Sequence, residues 1–161
     1  MASTFVPAPL ADVWAWWTDF GDAGQVAHIA HGLGWSRRRV IESGPRRIVF
    51  DEEVPWLPQR TRVVRRTAEI DAGNRVLLES GRGWLWFDAR WAFREEHGGT
   101  RVVRSVEVRH SKWRLVPAWI AKQIVRVDLE HHGRECAADL ARASAVAAST
   151  AAAPSDEGPA A

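Results

Sequence analysis

The stretch WLWFDARWAFREEHGGTRVVRSVEVRH, residues 84–110, decides how this chain folds. Glu96-His97-Gly98-Gly99 is a turn signal between two runs rich in aromatic and β-branched residues, so the stretch reads as a β-hairpin. Pairing Glu95 with Thr100 sets a register. It places Phe93 opposite Val102, Trp91 opposite Arg104, Ala89 opposite Val106, Phe87 opposite Val108 and Leu85 opposite His110. Side chains alternate across a strand, so these residues share one face. That face is apolar apart from Arg104 and His110 and is expected to turn inward.

The same grammar repeats upstream. Residues 35–43 and 46–54 flank Gly44-Pro45, and residues 60–70 and 75–80 flank Asp71-Ala72-Gly73-Asn74. Strands joined by short polar loops predict an antiparallel meander rather than βαβ units. With Ile70 opposite Arg75, Arg66 faces Glu79. Both faces of that hairpin mix arginine with apolar residues, so its inward side stays open.

Beyond the strands, Pro117 opens the longest helical pattern, running to about Ala145. Ile120, Ile124, Val127 and His131 form one row at helical spacing, and Ala121, Val125, Leu129, His132, Cys136 and Leu140 form the adjoining one. So broad a stripe must pack on something large, and the sheet is the candidate. Gly133 inside this helix costs about 1 kcal/mol relative to Ala and marks a close approach of backbone. Near the other end, Pro9-Leu10-Ala11-Asp12-Val13-Trp14-Ala15-Trp16-Trp17 predicts a short helix, with proline at its start and Asp12 in its first turn. Gly21, Gly24, Gly32 and Gly34 punctuate a loop region expected to hold a second short helix near residues 25–31. From Val146 onward the chain is Ala, Ser, Pro and Gly with little to bury, predicting one domain over 1–146 and a disordered tail over 147–161.

Composition agrees with one globular domain: 161 residues, 46% apolar and 26% charged. The lone Cys136 excludes an internal disulfide. Met1-Ala2-Ser3-Thr4-Phe5-Val6-Pro7 lacks the basic and apolar parts of a signal peptide, and no run approaches the ~20 apolar residues of a membrane span. A cytoplasmic protein without membrane insertion is the expectation. The basic residues are nearly all arginine, clustered at Arg37, Arg38, Arg39, Arg46 and Arg47 and at Arg60, Arg62, Arg65 and Arg66. Asp51, Glu52 and Glu53 dilute them, so a solvated sheet face is expected and nucleic-acid binding is not. Ten tryptophans and no tyrosine suit an aromatic core, an aromatic-lined pocket, or both.

Few side chains announce chemistry. No phosphate loop, nucleophile elbow, HExxH or paired CxxC occurs. Asp128, His132 and Cys136 share a helix ridge at i, i+4 spacing, but three ligands along one helix converge poorly on one ion. No metal and no cofactor are expected. His28 and His31 lack a third partner. Arg104 within an apolar face either stacks on Trp91, a contact worth about 0.5–2 kcal/mol, or anchors a ligand carboxylate. The stack is the simpler account, because a cross-strand pair needs no ligand.

The order of elements, with FVPAPLADVWAWWTDF at residues 5–20, resembles the START-like superfamily of polyketide cyclases, lipid-transfer domains and pollen-allergen relatives. Members often carry an apolar strand, then Ala-Pro, then a Val-Trp helix ending near an Asp. The resemblance implies an α+β helix-grip fold: a curved antiparallel sheet around a long C-terminal helix, with two short helices after the first strand. The chain departs from the pattern in having few residues before Ala8-Pro9, so the first strand is expected to be short.

The resemblance also implies binding or transport of a hydrophobic or amphipathic small molecule, such as a lipid, isoprenoid or polyketide, between sheet and helix. Phe87, Trp91, Arg104, Val106, Val108, His110, Ile124 and His132 are the expected lining. A cyclase or dehydratase using the same pocket is the first rival. A co-chaperone-like interaction domain with a collapsed pocket is the second.

Overall fold

The computed structural model describes residues 1–20, 30–31, 34–35, 37–57, 60–83, 86–110 and 118–151. In chain order the elements are β1 (Ala2–Val6), α1 (Leu10–Thr18), β2 (Ala30–His31), β3 (Gly34–Trp35), β4 (Arg37–Ser43), β5 (Arg47–Leu57), β6 (Arg60–Asp71), β7 (Val76–Gly83), β8 (Trp86–Glu96), β9 (Gly99–His110) and α2 (Ala118–Ala151). Seven strands make one antiparallel sheet in the order β1-β9-β8-β7-β6-β5-β4, and β2 pairs only with β3. The expected meander is therefore present, closed at one edge by the N-terminal strand. The second short helix expected near residues 25–31 falls mostly outside the described residues, and its last two positions are strand β2.

The β8–β9 hairpin turns as its sequence dictates. His97 (φ 48°) and Gly98 (φ 79°) are both left-handed, the conformation a two-residue turn needs to match strand twist. Register follows the expected pairs from Glu95↔Thr100 to Phe87↔Val108. There a bulge intervenes, and His110 pairs with Trp86 rather than Leu85. The β6–β7 register differs more: Ile70 faces Leu77, Ala68 faces Glu79, and Arg66 faces Gly81. The turn explains the shift. The Asp71 carboxylate accepts from the Asn74 main-chain N–H (3.1 Å) and side-chain amide (2.7 Å), and Arg75 is left-handed at φ 52°. Arg75 is thus spent on the loop, and β7 begins at Val76. A shift of two residues leaves every side chain on its expected face.

α1 buries Val13, Trp14 and Trp17 against the sheet. Trp14 and Trp17 meet Phe93 edge-on at 5.2 and 5.6 Å, and Trp17 lies 5.8 Å from Trp91. Aromatic pairs of this kind add about 0.5–1.5 kcal/mol beyond their burial. α2 packs through Leu129, Gly133, Cys136 and Leu140, with Leu129 and Cys136 fully buried. A Cβ on Gly133 would come within 2.8 Å of Thr4 on β1, so the close approach expected there is real. Val127, from the other helical row, is 44% exposed. The helix runs on to Ala151, six residues past its expected end, with residues 141–150 all exposed. Among the described residues, no helix is long and apolar enough to cross a membrane.

Candidate functional site

The sheet registers fix which residues look inward at α2. Across β4–β9 these are Arg38 and Val40; Ile48, Phe50 and Glu52; Val64, Arg66, Ala68 and Ile70; Leu77, Glu79 and Gly81; Phe87, Ala89, Trp91 and Phe93; Val102, Arg104, Val106 and Val108. The charged members are not scattered. Arg38 lies opposite Glu52, and Arg66, Glu79 and the Trp91–Arg104 pair each step one row along, so together they cross the sheet as a diagonal belt.

Contacts follow this line. Glu52, fully buried, takes Arg38 Nη2 at 3.6 Å and an ion pair from Arg66. Glu79 Oε2 accepts the Trp91 indole N–H at 3.0 Å. Arg104 lies 4.3 Å over the Trp91 ring, the stack its sequence position suggested. Its Nη1 also donates to Asp128 Oδ2 of α2 at 2.5 Å, tying sheet to helix. One turn on, His132 Nδ1 sits 2.8 Å from the Asp128 main-chain oxygen, beside the Trp17 ring at 6.2 Å. Arg38 and Arg66 rest on aromatic faces, Phe50 at 4.3 Å and Phe87 at 5.1 Å.

Electrostatics differ between the two arginines that share Glu52. Burial pulls the Arg38 guanidinium below its ordinary value, with Glu52 opposing. Burial acts on Arg66 in the same direction, but Glu52, Glu79 and Asp128 outweigh it and hold its proton more firmly than usual. Arg66 is therefore the focus of the belt's negative charge. The Nε–H groups of Arg66 and Arg104 are buried and meet no acceptor among the described residues.

The belt divides the interior. On one side lies the main core of Phe50, Ala68, Leu77, Trp91, Phe93 and Val102 with α1 and α2. On the other, Val64, Phe87 and Ala89 form a separate apolar cluster with Val106 against it. This second cluster is itself buried, but the residues around it are less covered. Val106, Ile120 and Ile124 are half-buried and Val108 is 42% exposed, whereas Val6, Val102 and Leu129 at the closed end are inaccessible.

Of the expected lining, Phe87, Trp91, Arg104 and Val106 face the interior on either side of the belt, and His132 stands beside it. Ile124 and Val108 lie toward the less covered end. The side chain of His110 lies outside the described residues. Arg38, Glu52, Arg66 and Glu79 join the belt without any expectation from sequence that they form a site, and Asp128 was weighed only on the metal ridge. The available signal was the inward alternation of Val64, Arg66 and Ala68, against Arg65 paired outward with Asp51 at 2.8 Å. Cys136, on the ridge weighed as a metal site, is fully buried, and the surrounding desolvation pushes its thiol up to about 12. Among the described residues, no group of His, Cys, Asp and Glu has the arrangement to hold a metal ion. An open depression of ≈ 570 Å³ is lined mainly by outer-face residues such as Thr67, Leu78, Ser80, Arg90 and Ser105, and also by Glu79, Ala89 and Val106.

No protein-family model matches the sequence, and no curated protein matches it. Solved structures do. The chain superposes on TTHA0849 from Thermus thermophilus with a TM-score of 0.68 at 17% identity, covering 89% of this chain and 97% of that one. The Zhui aromatase/cyclase from Streptomyces sp. R1128 gives 0.59 at 13% identity, with 83% and 90% covered. Norcoclaurine synthase from Thalictrum flavum gives 0.58 at 14% identity, with 86% and 83% covered. The chain has the helix-grip fold.

Proposed function

We propose that the protein binds a hydrophobic or amphipathic small molecule between the sheet and α2. The observation that carries this is the divided interior: a belt of charged side chains with a separate apolar cluster beyond it, bordered by the partly exposed Val106 and Val108. Small-molecule sites generally combine apolar walls with a few polar groups that fix orientation. The ligand's apolar body rests on Val64, Phe87, Ala89 and Val106, and its polar end meets Arg66 and Arg104. Ile124 on α2 and Val108 on β9 border the entry.

A second reading, a cyclase or dehydratase in the same interior, is favoured by one feature. His132 and Asp128 stand beside Arg104, so an acid–base group and a cation border the same space. Two of the structural neighbours are themselves named as a cyclase and a synthase.

The test is native mass spectrometry of protein from its own host, followed by titration of fatty alcohols, isoprenoids and aromatic ketones while tryptophan emission and melting temperature are recorded. Saturable binding that Phe87→Asp abolishes supports the reading. Product formation from a bound compound moves it to the enzyme. A folded protein that retains nothing and responds to none of these compounds refutes it.

A further inference from the structure

The belt carries a charge count that bears on what can enter. Among the described residues its cations are Arg38, Arg66 and Arg104, and its anions are Glu52, Glu79 and Asp128. With His132 counted as neutral, the formal sum is zero. The anions are committed: Glu52 to Arg38 and Arg66, Asp128 to Arg104, and Glu79 to the Trp91 indole while its field reaches Arg38 and Arg66. A ligand carboxylate here would be one buried negative charge too many, and uncompensated buried charge is strongly disfavoured.

What the belt still offers is hydrogen-bond donation without net charge. The Nε–H groups of Arg66 and Arg104 are buried and donate to nothing among the described residues. Arg104 is 9% exposed, and its Nη1 is already taken by Asp128. An unpaired buried donor is costly until an acceptor arrives, and a neutral carbonyl or ether oxygen supplies one without disturbing the balance.

Resting on the ligand-binding reading above, we infer that this interior selects uncharged ligands bearing an oxygen acceptor and rejects carboxylates, with Glu79 and Asp128 as the residues that set the selection. A carboxylate anchor was the less favoured of the two sequence readings of Arg104. Its pairing with Asp128 removes the basis for a carboxylate anchor.

The experiment compares two probes of nearly equal shape, 2-acetylnaphthalene and 2-naphthoate, by calorimetric titration of the full chain near neutral pH. Wild type is expected to bind the ketone at least about tenfold more tightly, a difference of about 1.4 kcal/mol. Glu79→Gln keeps an acceptor for the Trp91 indole but removes one negative charge, so it should narrow or invert that ratio about tenfold, mainly by strengthening naphthoate. Asp128→Asn, with circular dichroism as the folding control, is read in its place if Glu79→Gln does not fold. Naphthoate binding as tightly as the ketone in wild type overturns the charge selection and leaves the ligand-binding reading standing. So does an unchanged ratio in a folded variant. Failure of both probes to bind overturns the selection together with the reading beneath it.

Discussion

Glu52→Gln is the sharpest probe of the interior. Glu52 is fully buried on β5 and neutralises two arginines, Arg38 and Arg66, whose side chains are 16% and 13% exposed. Glutamine preserves the volume and one acceptor oxygen but leaves two neighbouring guanidinium groups without their shared counter-charge. Breaking a buried pair from one side costs about 3–5 kcal/mol. Because glutamine still accepts a hydrogen bond, the lower end of that range applies. For a chain of this length, about 3 kcal/mol lowers the melting temperature by roughly 6–12 °C. The assay is urea unfolding followed by tryptophan emission, reading a fall in midpoint at constant slope. Arg66→Met in the same background should then recover stability, because it removes the charge that glutamine orphaned. The expected coupling is at least about 1 kcal/mol in a double-mutant cycle. A Glu52→Gln protein as stable as wild type, or strictly additive substitutions, would refute the buried belt.

Leu129→Ala should cost about 2–5 kcal/mol, because its side chain is inaccessible in the core, while Val127→Ala, 44% exposed, should stay within about 0.5 kcal/mol. Equal losses in urea titrations would mean that α2 is rotated from the orientation described. Cys136, with its thiol pushed up to about 12, should resist iodoacetamide at pH 8 in the native protein and react on unfolding. Rapid stoichiometric labelling of folded protein would contradict its burial. Three carboxylates outside the core are held below their ordinary range by hydrogen bonds: Asp51 from Arg65, Asp71 from Asn74 and Glu96 from Arg101. Their contribution is fully present above the unfolded carboxylate value and is lost as pH falls through the lowered folded values. Thermal stability should therefore be flat from neutrality to about pH 5 and decline below about pH 4, modestly because these pairs are exposed. Stability rising on acidification would refute this assignment.

The sequence carried the fold where local signals were unambiguous. His97-Gly98 permits the tight turn between β8 and β9, and the alternation of Phe87, Ala89, Trp91 and Phe93 left one inward face. Gly133, legible as a weak point of the helix that permits close approach, is where Thr4 packs. Where local signals competed, legibility failed. Asp71-Ala72-Gly73-Asn74 is a turn under either register, and only the left-handed Arg75 moves the pairing by two residues. α2 outruns its expected end because alanine supports a helix without any surface to bury. The belt was illegible for a deeper reason. An inward arginine looks in sequence like an outward one, and Arg65 and Arg66 are adjacent and opposite in fate.

That failure itself points toward the site. A core chosen for stability alone would place apolar residues at Arg38, Glu52, Arg66 and Glu79, because a well-packed apolar replacement for a buried ion pair is often as stable or more so. The surrounding sequence does choose that way: Phe50, Ala68, Leu77 and Phe93 form an apolar core beside the belt. Departures from local consistency concentrate where function demands them. Here they fall on one diagonal line, ending on α2 at Asp128 and bordering a second, separate apolar cluster. Scattered polar substitutions tolerated by a large core would not align over five strands of one sheet, nor find their partners across it. The alignment supports the proposed binding of a ligand with one polar end and one apolar body.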